Sequence, residues 1–452
     1  MAGVENLDQR LMHKSSVAIV GAGWAGCAAA VELTRRGASV TLFEAARTLG
    51  GRARRVDHHG ATIDNGQHIL LGAYRDTLHL MKTVGLRPAE ALRRLPLQMR
   101  YPSNSGGMDL VAPRLPAPFH LAWAVVRAKG LTIADKLSLA RFSSAARWMQ
   151  WQLNTDCTVT ELLERFDQTE TLTRLMWRPL CIAALNTPPE RASARVFLAV
   201  LRDSLGAHRN TSDMLMPRQD LSSLFPDAAA SYVEHQGGHV KTGTQVRSVA
   251  RTSQGWQVHT NTMTKVFDAL IIATPPAQAQ MLLAELAPEV AAALQFTYEP
   301  ITTCYLQYAP AVTLPSVFYA LADDPEKHRW AQFIFDRGQL DPTQAGLMAV
   351  VISASGNAIE QGNEALLAEV LLQIAADLNM PNLLNPDWHR IISEKRATFA
   401  CTPDLQRPAN DTGILGLFLA GDYTAGDYPA TLEGAVRSGL AAARGVMLQS
   451  DD

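Results

Sequence analysis

The chain has 452 residues, of which 47% are hydrophobic and 19% are charged, and its formal net charge is −2. This length suffices for two or three packed units, and a net charge near zero gives no general attraction for nucleic acid. No uninterrupted apolar run reaches the length of a membrane-spanning helix, and the first 14 residues lack the apolar core of a signal peptide. We therefore expect a cytoplasmic protein without a nucleic-acid partner.

The cysteines predict neither a disulfide framework nor a metal site. Five are scattered along the chain without the short spacings that metal ligands show, and an odd number is typical of reduced thiols in a cytoplasmic protein. They are Cys27, Cys157, Cys181, Cys304 and Cys401.

Residues 16–44 predict a strand, a glycine-rich turn, a helix and a second strand. The β-branched run 17–20 is typical of a buried parallel strand and leads into a turn with glycines at 21, 23 and 26. A helix-forming segment follows at 27–33, and the run 38–43 predicts a second strand that ends at Glu44. This βαβ unit carries the fingerprint of a dinucleotide site at its first turn.

Each residue of the fingerprint has a mechanical task. Gly21 permits the tight turn, Gly23 lets backbone N–H groups approach a diphosphate, and Gly26 lets the helix pack closely on the strand. The helix begins near Trp24 and Ala25, where unpaired N–H groups and the positive dipole end favour phosphate. Glu44 can accept hydrogen bonds from a ribose diol. A nicotinamide and a flavin dinucleotide both fit this stretch.

A second glycine loop, Gly50-Gly51-Arg52, follows Glu44 closely. With the βαβ unit, this loop resembles the flavin amine oxidase and carotenoid desaturase superfamily, whose FAD-binding half carries a GGR motif after the ribose-binding glutamate. The resemblance implies FAD as cofactor, with Glu44, Ala45, Gly51 and Arg52 at the cofactor. The family commonly has an arginine four residues after the glutamate, where this chain has Thr48.

Further cofactor contacts are implied by the same resemblance. The strand predicted at 61–63 leads into a turn that would carry Gln67 and His68 along the flavin ring. The strand predicted at 244–249 would bring Val246 to the adenine, and Thr274 would close a segment near the phosphates. For His68 two interpretations stay open, a turn histidine without chemistry and a residue of the site.

The C-terminal signature completes the predicted cofactor site. A buried strand ends at Gly421-Asp422, where the carboxylate can hold a ribityl hydroxyl. A helix predicted from 430 or 431 to 443 would direct N–H groups of Thr431 and Leu432 toward the N1/O2 edge of the flavin. Glu433 has two open interpretations, a residue of the site and an acid favoured by the helix dipole.

These motifs predict an α/β fold, with a Rossmann-like FAD-binding domain of the GR2 type and an inserted α+β substrate domain. We assign residues 14–75, 212–281 and 405–448 to the FAD-binding domain. Residues 76–211 and 282–404 form the predicted substrate-binding domain, with a mainly helical cap.

Residues 116–151 combine tryptophans and other apolar residues with flanking arginines and a lysine. Such a segment suits peripheral contact with the inner membrane surface, and it also suits a cap helix buried against its own domain. The sequence leaves both interpretations, and the oligomeric state, open.

The middle of the chain narrows the resemblance. Amine oxidases of the superfamily usually place a lysine on a strand beneath the flavin, and Thr303 falls at that position. Residues 64–74 and 394–399 and the C-terminal signature are more similar to bacterial hydroxysqualene dehydroxylases. That likeness implies reduction of hydroxysqualene to squalene by FADH2, in squalene and hopanoid biosynthesis. Alternatives are a carotenoid-type polyprenoid desaturase, an amine oxidase, and an isoprenoid-carrying protein of the same fold.

The implied reaction needs a proton donor, because an allylic C–O bond ionises when an acid protonates the hydroxyl. The candidate catalytic residues are His68, Asp427 and Tyr428, and Asp64 is a further candidate donor. Among these we favour His68 as a hypothesis.

Overall fold

The structure is a computed structural model that describes residues 15–103, 105–205 and 208–451. The segment for which the sequence predicts no signal peptide, and residue 14 of the predicted FAD-binding domain, lie outside the described residues.

The strands, in chain order, are β1 Ser16–Val20, β2 Ser39–Phe43, β3 Arg55–His58, β4 Ala61–Asp64, β5 Leu70–Leu71, β6 Leu92–Leu95, β7 Gln98–Arg100, β8 Asp109–Val111, β9 Met214–Pro217, β10 His239–Lys241, β11 Val246–Thr252, β12 Gly255–Thr260, β13 Thr264–Phe267, β14 Ala269–Ile272, β15 Tyr298–Gln307, β16 Phe318–Ala320, β17 Phe333–Asp336, β18 Leu347–Ser353, β19 Trp388–Phe399 and β20 Leu417–Leu419.

The α-helices, in chain order, are α1 Trp24–Arg35, α2 Arg75–Thr83, α3 Pro88–Ala91, α4 Phe119–Arg127, α5 Ile133–Trp148, α6 Val159–Arg165, α7 Glu170–Leu172, α8 Arg178–Leu185, α9 Ala194–Leu205, α10 Leu221–Leu224, α11 Pro226–His235, α12 Pro276–Leu283, α13 Pro288–Ala292, α14 Gly356–Glu360, α15 Asn363–Leu378 and α16 Leu432–Asp451.

A parallel sheet of five strands, in the order β10-β2-β1-β14-β20, forms the centre of the molecule. Alternate residues of β1 enter different cores: Val17 and Ile19 pack with α1 and α16, and Ala18 and Val20 pack on the opposite face. Both faces are therefore covered, which is why the strands are continuously apolar. The parallel sheet confirms the predicted α/β fold with a Rossmann-like domain.

The central sheet is assembled from distant parts of the chain. Its strands come from 16–43, 239–241, 269–272 and 417–419, and each lies inside a segment that we assign to the FAD-binding domain. The exact domain boundaries stay a prediction.

A second sheet, antiparallel, has the order β16-β17-β18-β15-β19. Its alternating residues again divide between two cores. On β17, Ile334 packs beneath α15, whereas Phe333 and Phe335 face the opposite side, where they line a cavity. This sheet and the helices between α4 and α9 enclose that cavity.

Two local expectations needed correction. The region 77–205 is mainly helical as expected, but β6, β7 and β8 occupy parts of 92–111. The sequence from 221 to 234 predicts a single helix, but the structure divides it into α10 and α11, because Pro226 has no N–H to continue the first helix and Phe225 has a φ of −155°.

Helix α5 begins at a capping box. The Thr132 hydroxyl accepts a hydrogen bond from Asp135 N at 3.2 Å, and the Asp135 carboxylate accepts one from Thr132 N at 2.7 Å.

Among the described residues, no helix combines the length and apolar character needed to cross a membrane.

Candidate functional site

The turn after β1 has the shape that the glycine fingerprint predicts. Gly21 has a φ of +104°, and a Cβ there would lie 2.6 Å from the carbonyl oxygen of Ala273. A Cβ on Gly26 would lie 1.9 Å from the carbonyl oxygen of Gly21, so the glycine allows α1 to pack directly on the turn. Gly26 therefore shapes the site from behind and does not line the cavity.

The N-terminus of α1 is left free for an anion. Gly23 is its N-cap, and among the described residues no side chain caps the helix and its first turn carries no acid. A Cβ on Gly23 would have Gly51 Cα as its nearest neighbour, at 3.9 Å. The two glycine loops thus border an open space at the positive end of the helix dipole, which suits a diphosphate.

Glu44 is held at the edge of this space. Its carboxylate accepts hydrogen bonds from Ala22 N at 2.8 Å and from Ala46 N at 2.9 Å. Each oxygen keeps a lone pair free, so the group can also accept hydrogen bonds from a ribose diol.

An ion pair joins the N-terminal and C-terminal parts of the chain at another side of the space between the glycine loops. Arg52 Nη2 lies 2.6 Å from each carboxylate oxygen of Asp422, and Arg52 Nη1 donates to the carbonyl oxygen of Ala397 at 2.6 Å. The GGR loop, the strand β19 and the C-terminal signature therefore meet at one guanidinium group. The sequence predicted both charged residues but did not predict that they pair.

Glu433 supports the fold beside the cavity and does not line it. Its side chain is fully buried and accepts hydrogen bonds from Thr77 N at 3.0 Å and from Thr77 Oγ1 at 2.7 Å, at the start of α2. It also pairs with Arg437 at 2.9 Å. The carboxylate is therefore the N-terminal anchor of a neighbouring helix, a third role beside the two that the sequence suggests.

His68 lines the cavity beside Gly66. Its Nδ1 lies 2.8 Å from the carbonyl oxygen of Gly66, which assigns the proton to Nδ1 and leaves a lone pair on Nε2. Burial lowers the pKa of the imidazole, against the hydrogen bond to Gly66, and the charge of Arg52 lowers it further. A neutral imidazole with this tautomer accepts a hydrogen bond more readily than it supplies a proton.

The strand beneath this segment carries Thr303, as expected. A Cβ on Gly66 would lie 3.7 Å from Thr303 Oγ1, so β15 runs directly under the Gly66–His68 turn. The Thr303 hydroxyl is buried and has no hydrogen-bond partner among the described residues. The position at which the resemblance predicts the lysine of amine oxidases thus carries a short neutral side chain.

The other candidate donors occupy different surroundings. Asp64 is 5% exposed, accepts a hydrogen bond from Leu221 N at 2.8 Å, and does not line the cavity. Burial raises the pKa of its carboxyl group to about 7. Asp427 also does not line the cavity; its side chain is 70% exposed and lies 3.4 Å from Arg202. Tyr428 lines the cavity and donates from its hydroxyl to Asp203 at 3.1 Å.

One cavity of about 980 Å³ joins the two glycine loops, the Gly66–His68 turn and the C-terminal signature. Every predicted cofactor residue except Gly26 lines it: Gly21, Gly23, Trp24, Ala25, Glu44, Ala45, Gly51, Arg52, Gln67, His68, Val246, Thr274, Gly421, Asp422, Thr431 and Leu432. The rest of its lining is largely apolar and includes residues that the sequence did not single out, among them Met99, Met108, Leu110, Phe142, Phe333 and Phe335. Only the alternation of apolar residues along their strands and helices signals such a lining.

The residues present fit a flavin dinucleotide. The glycine loops leave room for a diphosphate, and Glu44 is placed for a ribose. Thr274 lines the cavity, and its hydroxyl is buried and has no hydrogen-bond partner among the described residues. A buried polar atom of this kind needs a partner, and a cofactor hydroxyl or phosphate would supply one.

Comparison with known proteins identifies the family. A model described as "Flavin containing amine oxidoreductase" matches residues 24–447. The chain belongs to this family. Its cofactor is FAD, and it is an FAD-dependent oxidoreductase.

Three curated relatives are similar to this chain over nearly its whole length. The hydroxysqualene dehydroxylase of Rhodopseudomonas palustris is 30% identical, with the match covering 95% of this chain and 97% of the relative. That of Sinorhizobium fredii is 28% identical with the same coverage. A zeta-carotene desaturase of Synechocystis is 26% identical, again over 95% and 97%.

Solved structures confirm the fold alone. Cyclohexylamine oxidase from Brevibacterium oxydans matches with a TM-score of 0.71 at 16% identity, over 97% of this chain and 100% of that chain. A putative protoporphyrinogen oxidase from Exiguobacterium matches with a TM-score of 0.69 at 18% identity, over 97% and 99%. These structures carry different names on one architecture, so the substrate must be argued from the cavity.

Proposed function

We propose that the enzyme reduces hydroxysqualene to squalene, releasing the allylic hydroxyl as water, with FADH2 as the reductant, in squalene and hopanoid biosynthesis. The observation that carries the proposal is the cavity of about 980 Å³, whose lining joins the predicted cofactor residues to a largely apolar chamber. The likeness to hydroxysqualene dehydroxylases over 95% of the chain supports it.

The chemistry divides clearly between cofactor and protein. A bound, reduced flavin supplies a hydride to a carbon centre. The chain must hold the allylic carbon beside the ring, keep bulk water away from the cation that ionisation creates, and protonate the leaving hydroxyl. The apolar lining suits the first two tasks, because a C30 hydrocarbon chain gains free energy by leaving water, at about 25 cal/mol per Å² buried.

Two observations weigh against the alternatives. Thr303 in place of lysine disfavours amine oxidation, because a lysine there is typical of the amine oxidases. The chain belongs to a family of oxidoreductases and keeps an open space between its two glycine loops for a cofactor. Both observations disfavour an isoprenoid-carrying protein that has no redox activity. A carotenoid-type desaturase needs the same apolar chamber and runs hydride transfer in the opposite direction, so it is the alternative that the experiment must separate.

The test uses the purified enzyme with its flavin reduced anaerobically. Hydroxysqualene is added for a single turnover, and extracted lipids are analysed by mass spectrometry while flavin oxidation is followed by absorbance. Squalene formed in proportion to oxidised flavin is the expected result. No squalene, together with flavin reduction when the oxidised enzyme meets a polyene such as phytoene, would replace the proposal by a desaturase.

The role of His68 is tested in the same assay. His68→Ala with pre-reduced flavin is compared with wild type, and unchanged single-turnover flavin oxidation removes His68 from the candidate donors. Because the imidazole is neutral and Nε2 is an acceptor, we expect it to orient the substrate, so the variant should weaken substrate binding more than it slows hydride transfer.

The same proposal includes peripheral contact with the inner membrane surface, through which a water-insoluble substrate would enter. Helices α4 and α5 each present two different faces. Leu121, Val125, Leu139 and Phe142 line the cavity, while the outer surface is apolar and exposed, with Trp148 87% and Ile133 77% exposed. We call this surface the apolar outer face; its residues are Phe119, Trp123, Val126, Ile133, Leu137 and Trp148.

Charge favours an anionic bilayer as the partner of the apolar outer face. The exposed cations Arg114, Arg127, Lys129, Arg141 and Arg147 lie on or beside the same two helices. Apolar and aromatic side chains inserted at the headgroup level, with cations around them, are typical of interfacial helices.

A vesicle assay tests this contact. Phe119→Ser/Trp123→Ser should reduce co-sedimentation with phosphatidylglycerol-containing vesicles at least tenfold, and high salt should weaken wild-type binding. Leu415→Ser/Leu448→Ser is the matched control, because these leucines are 63% and 69% exposed elsewhere on the surface. Equal binding of both double variants would overturn the membrane contact.

A further inference from the structure

The proposed reaction consumes a proton and releases water, and an apolar chamber supplies a route for neither. A second cavity, of about 310 Å³, adjoins the first. Ala73, Trp151, Asp203 and Tyr428 line both cavities, so these four residues form the boundary between them. The second cavity is otherwise lined by the three arginines Arg75, Arg202 and Arg437, and is therefore polar where the chamber is not.

A chain of hydrogen bonds and ion pairs crosses this boundary. The Tyr428 hydroxyl donates to Asp203 Oδ2 at 3.1 Å, and Asp203 Oδ1 accepts from Arg202 Nε at 2.8 Å. Arg202 in turn lies 3.4 Å from the exposed carboxylate of Asp427. The Asp203 side chain is 26% exposed and Tyr428 is 8% exposed, so polarity and exposure increase steadily from the chamber outward.

Resting on the proposed function, we infer that the second cavity is the entrance for the proton and the exit for water, with Tyr428 as the donor and Asp203 as its positioning residue. In the step, the Tyr428 hydroxyl first turns its proton from Asp203 Oδ2 to the leaving hydroxyl oxygen. The Oη–H bond then breaks as a bond forms between that proton and the leaving oxygen. The C–O bond breaks to give water and an allylic cation, and a bound, reduced flavin would supply the hydride for the new C–H bond. A proton from solvent, passed through water beside Asp203, restores the phenol. In sum, hydroxysqualene, a hydride and a proton give squalene and water.

The surroundings of Tyr428 keep the phenol protonated until it is used. Burial raises the pKa of the hydroxyl, and the hydrogen bond to Asp203 acts in the same direction. Arg437, whose guanidinium lies 4.2 Å from the ring centroid, opposes these effects and is itself paired with Glu433. Arg407 donates to the backbone carbonyl of Tyr428 and so holds the residue in place. His68, by contrast, is neutral with its proton on Nδ1.

The experiment has one arm that measures chemistry. Tyr428→Phe should slow single-turnover flavin oxidation by hydroxysqualene by about 100-fold or more. Asp203→Asn should slow it at least tenfold, change its solvent deuterium isotope effect, and leave the dissociation constant for squalene within about twofold. The control is Tyr101→Phe, a buried tyrosine whose hydroxyl donates to Leu175 O at 3.0 Å and which does not line the cavity.

A second arm does not depend on turnover. In the oxidised holoenzyme labelled with [ζ-¹³C]tyrosine, the signal lost in Tyr428→Phe identifies Tyr428, and Asp203→Asn should shift it. If the wild-type enzyme with reduced flavin forms no squalene from hydroxysqualene, the proposed function is refuted. Squalene formation at wild-type rate by Tyr428→Phe, or an unmoved Tyr428 signal in Asp203→Asn, would overturn the inference itself.

Discussion

Gly23 and Gly26 lie in one turn, and replacing each by alanine should damage a different property of the enzyme. A Cβ on Gly26 would lie 1.9 Å from the Gly21 carbonyl oxygen and 3.2 Å from Ala273 Cβ. Both neighbours are backbone or short, so α1 must move. Overpacking of this kind costs about 1–3 kcal/mol or more, and the melting temperature of the apoprotein should fall by several degrees.

Gly23 has no such neighbour. Its nearest atoms to a Cβ are Gly51 Cα at 3.9 Å and Gly50 O at 4.0 Å, and its φ of −71° suits alanine. The apoprotein should therefore keep its stability or gain about 0.4–1 kcal/mol, because alanine restricts the unfolded chain. The methyl group instead enters the space bordered by the two glycine loops. Losing one charge-assisted hydrogen bond to the diphosphate costs about 1.5–3 kcal/mol, which corresponds to an FAD dissociation constant raised about 10- to 100-fold.

The assay compares thermal unfolding of both apoproteins and calorimetric titration with FAD. The expected pattern is a normal melting temperature with weak FAD binding for Gly23→Ala, and a lowered melting temperature for Gly26→Ala. If Gly23→Ala melts as early as Gly26→Ala, or binds FAD as tightly as wild type, the assignment of this space to the diphosphate is wrong.

Two further predictions concern buried carboxyl groups. Burial raises the pKa of Asp64 to about 7, so the folded chain holds a proton that the unfolded chain releases, and the free energy of unfolding should fall as pH rises from about 4 to 7. Asp64→Asn should remove up to about 4 kcal/mol of that fall, measured by urea unfolding across this range; parallel profiles for both proteins would contradict it. Glu433→Gln should lower the free energy of unfolding by about 2–4 kcal/mol at pH 7, because the amide and hydroxyl of Thr77 and the guanidinium of Arg437 lose a charged acceptor. A change below about 1 kcal/mol in the same measurement would show that the anchor is dispensable.

The cofactor half of the molecule follows from local sequence signals. The turn at Gly21, the strand β20 just before Gly421-Asp422 and the helix after Thr431 are each specified by residues a few positions apart, and residues of all three segments line one cavity. Such signals need no knowledge of the rest of the fold, which is why the α/β fold could be predicted.

The remaining features depend on contacts between distant segments. Asp203 has no neighbouring motif, and its position beside Tyr428 arises only when α9 packs against the C-terminal signature. Glu433 resembles an ordinary helix-entry acid until α2 supplies its partners. For residues 116–151 the sequence leaves two alternatives, an exposed surface segment and a buried cap helix. The structure shows that α4 and α5 each have an exposed face and a face that lines the cavity.

The ion pair between Arg52 and Asp422 has a consequence for biosynthesis. The two residues are 370 positions apart, and a ribosome adds about 5–20 residues per second, so about 20–75 s separate their appearance. For the last part of that interval the edge of β14 is uncovered and one face of the sheet lacks its last helix, because β20 and α16 are still to be made. FAD should accordingly bind only after the ribosome has released the chain. Small deletions at the C-terminus should yield protein that lacks the yellow colour of a bound flavin.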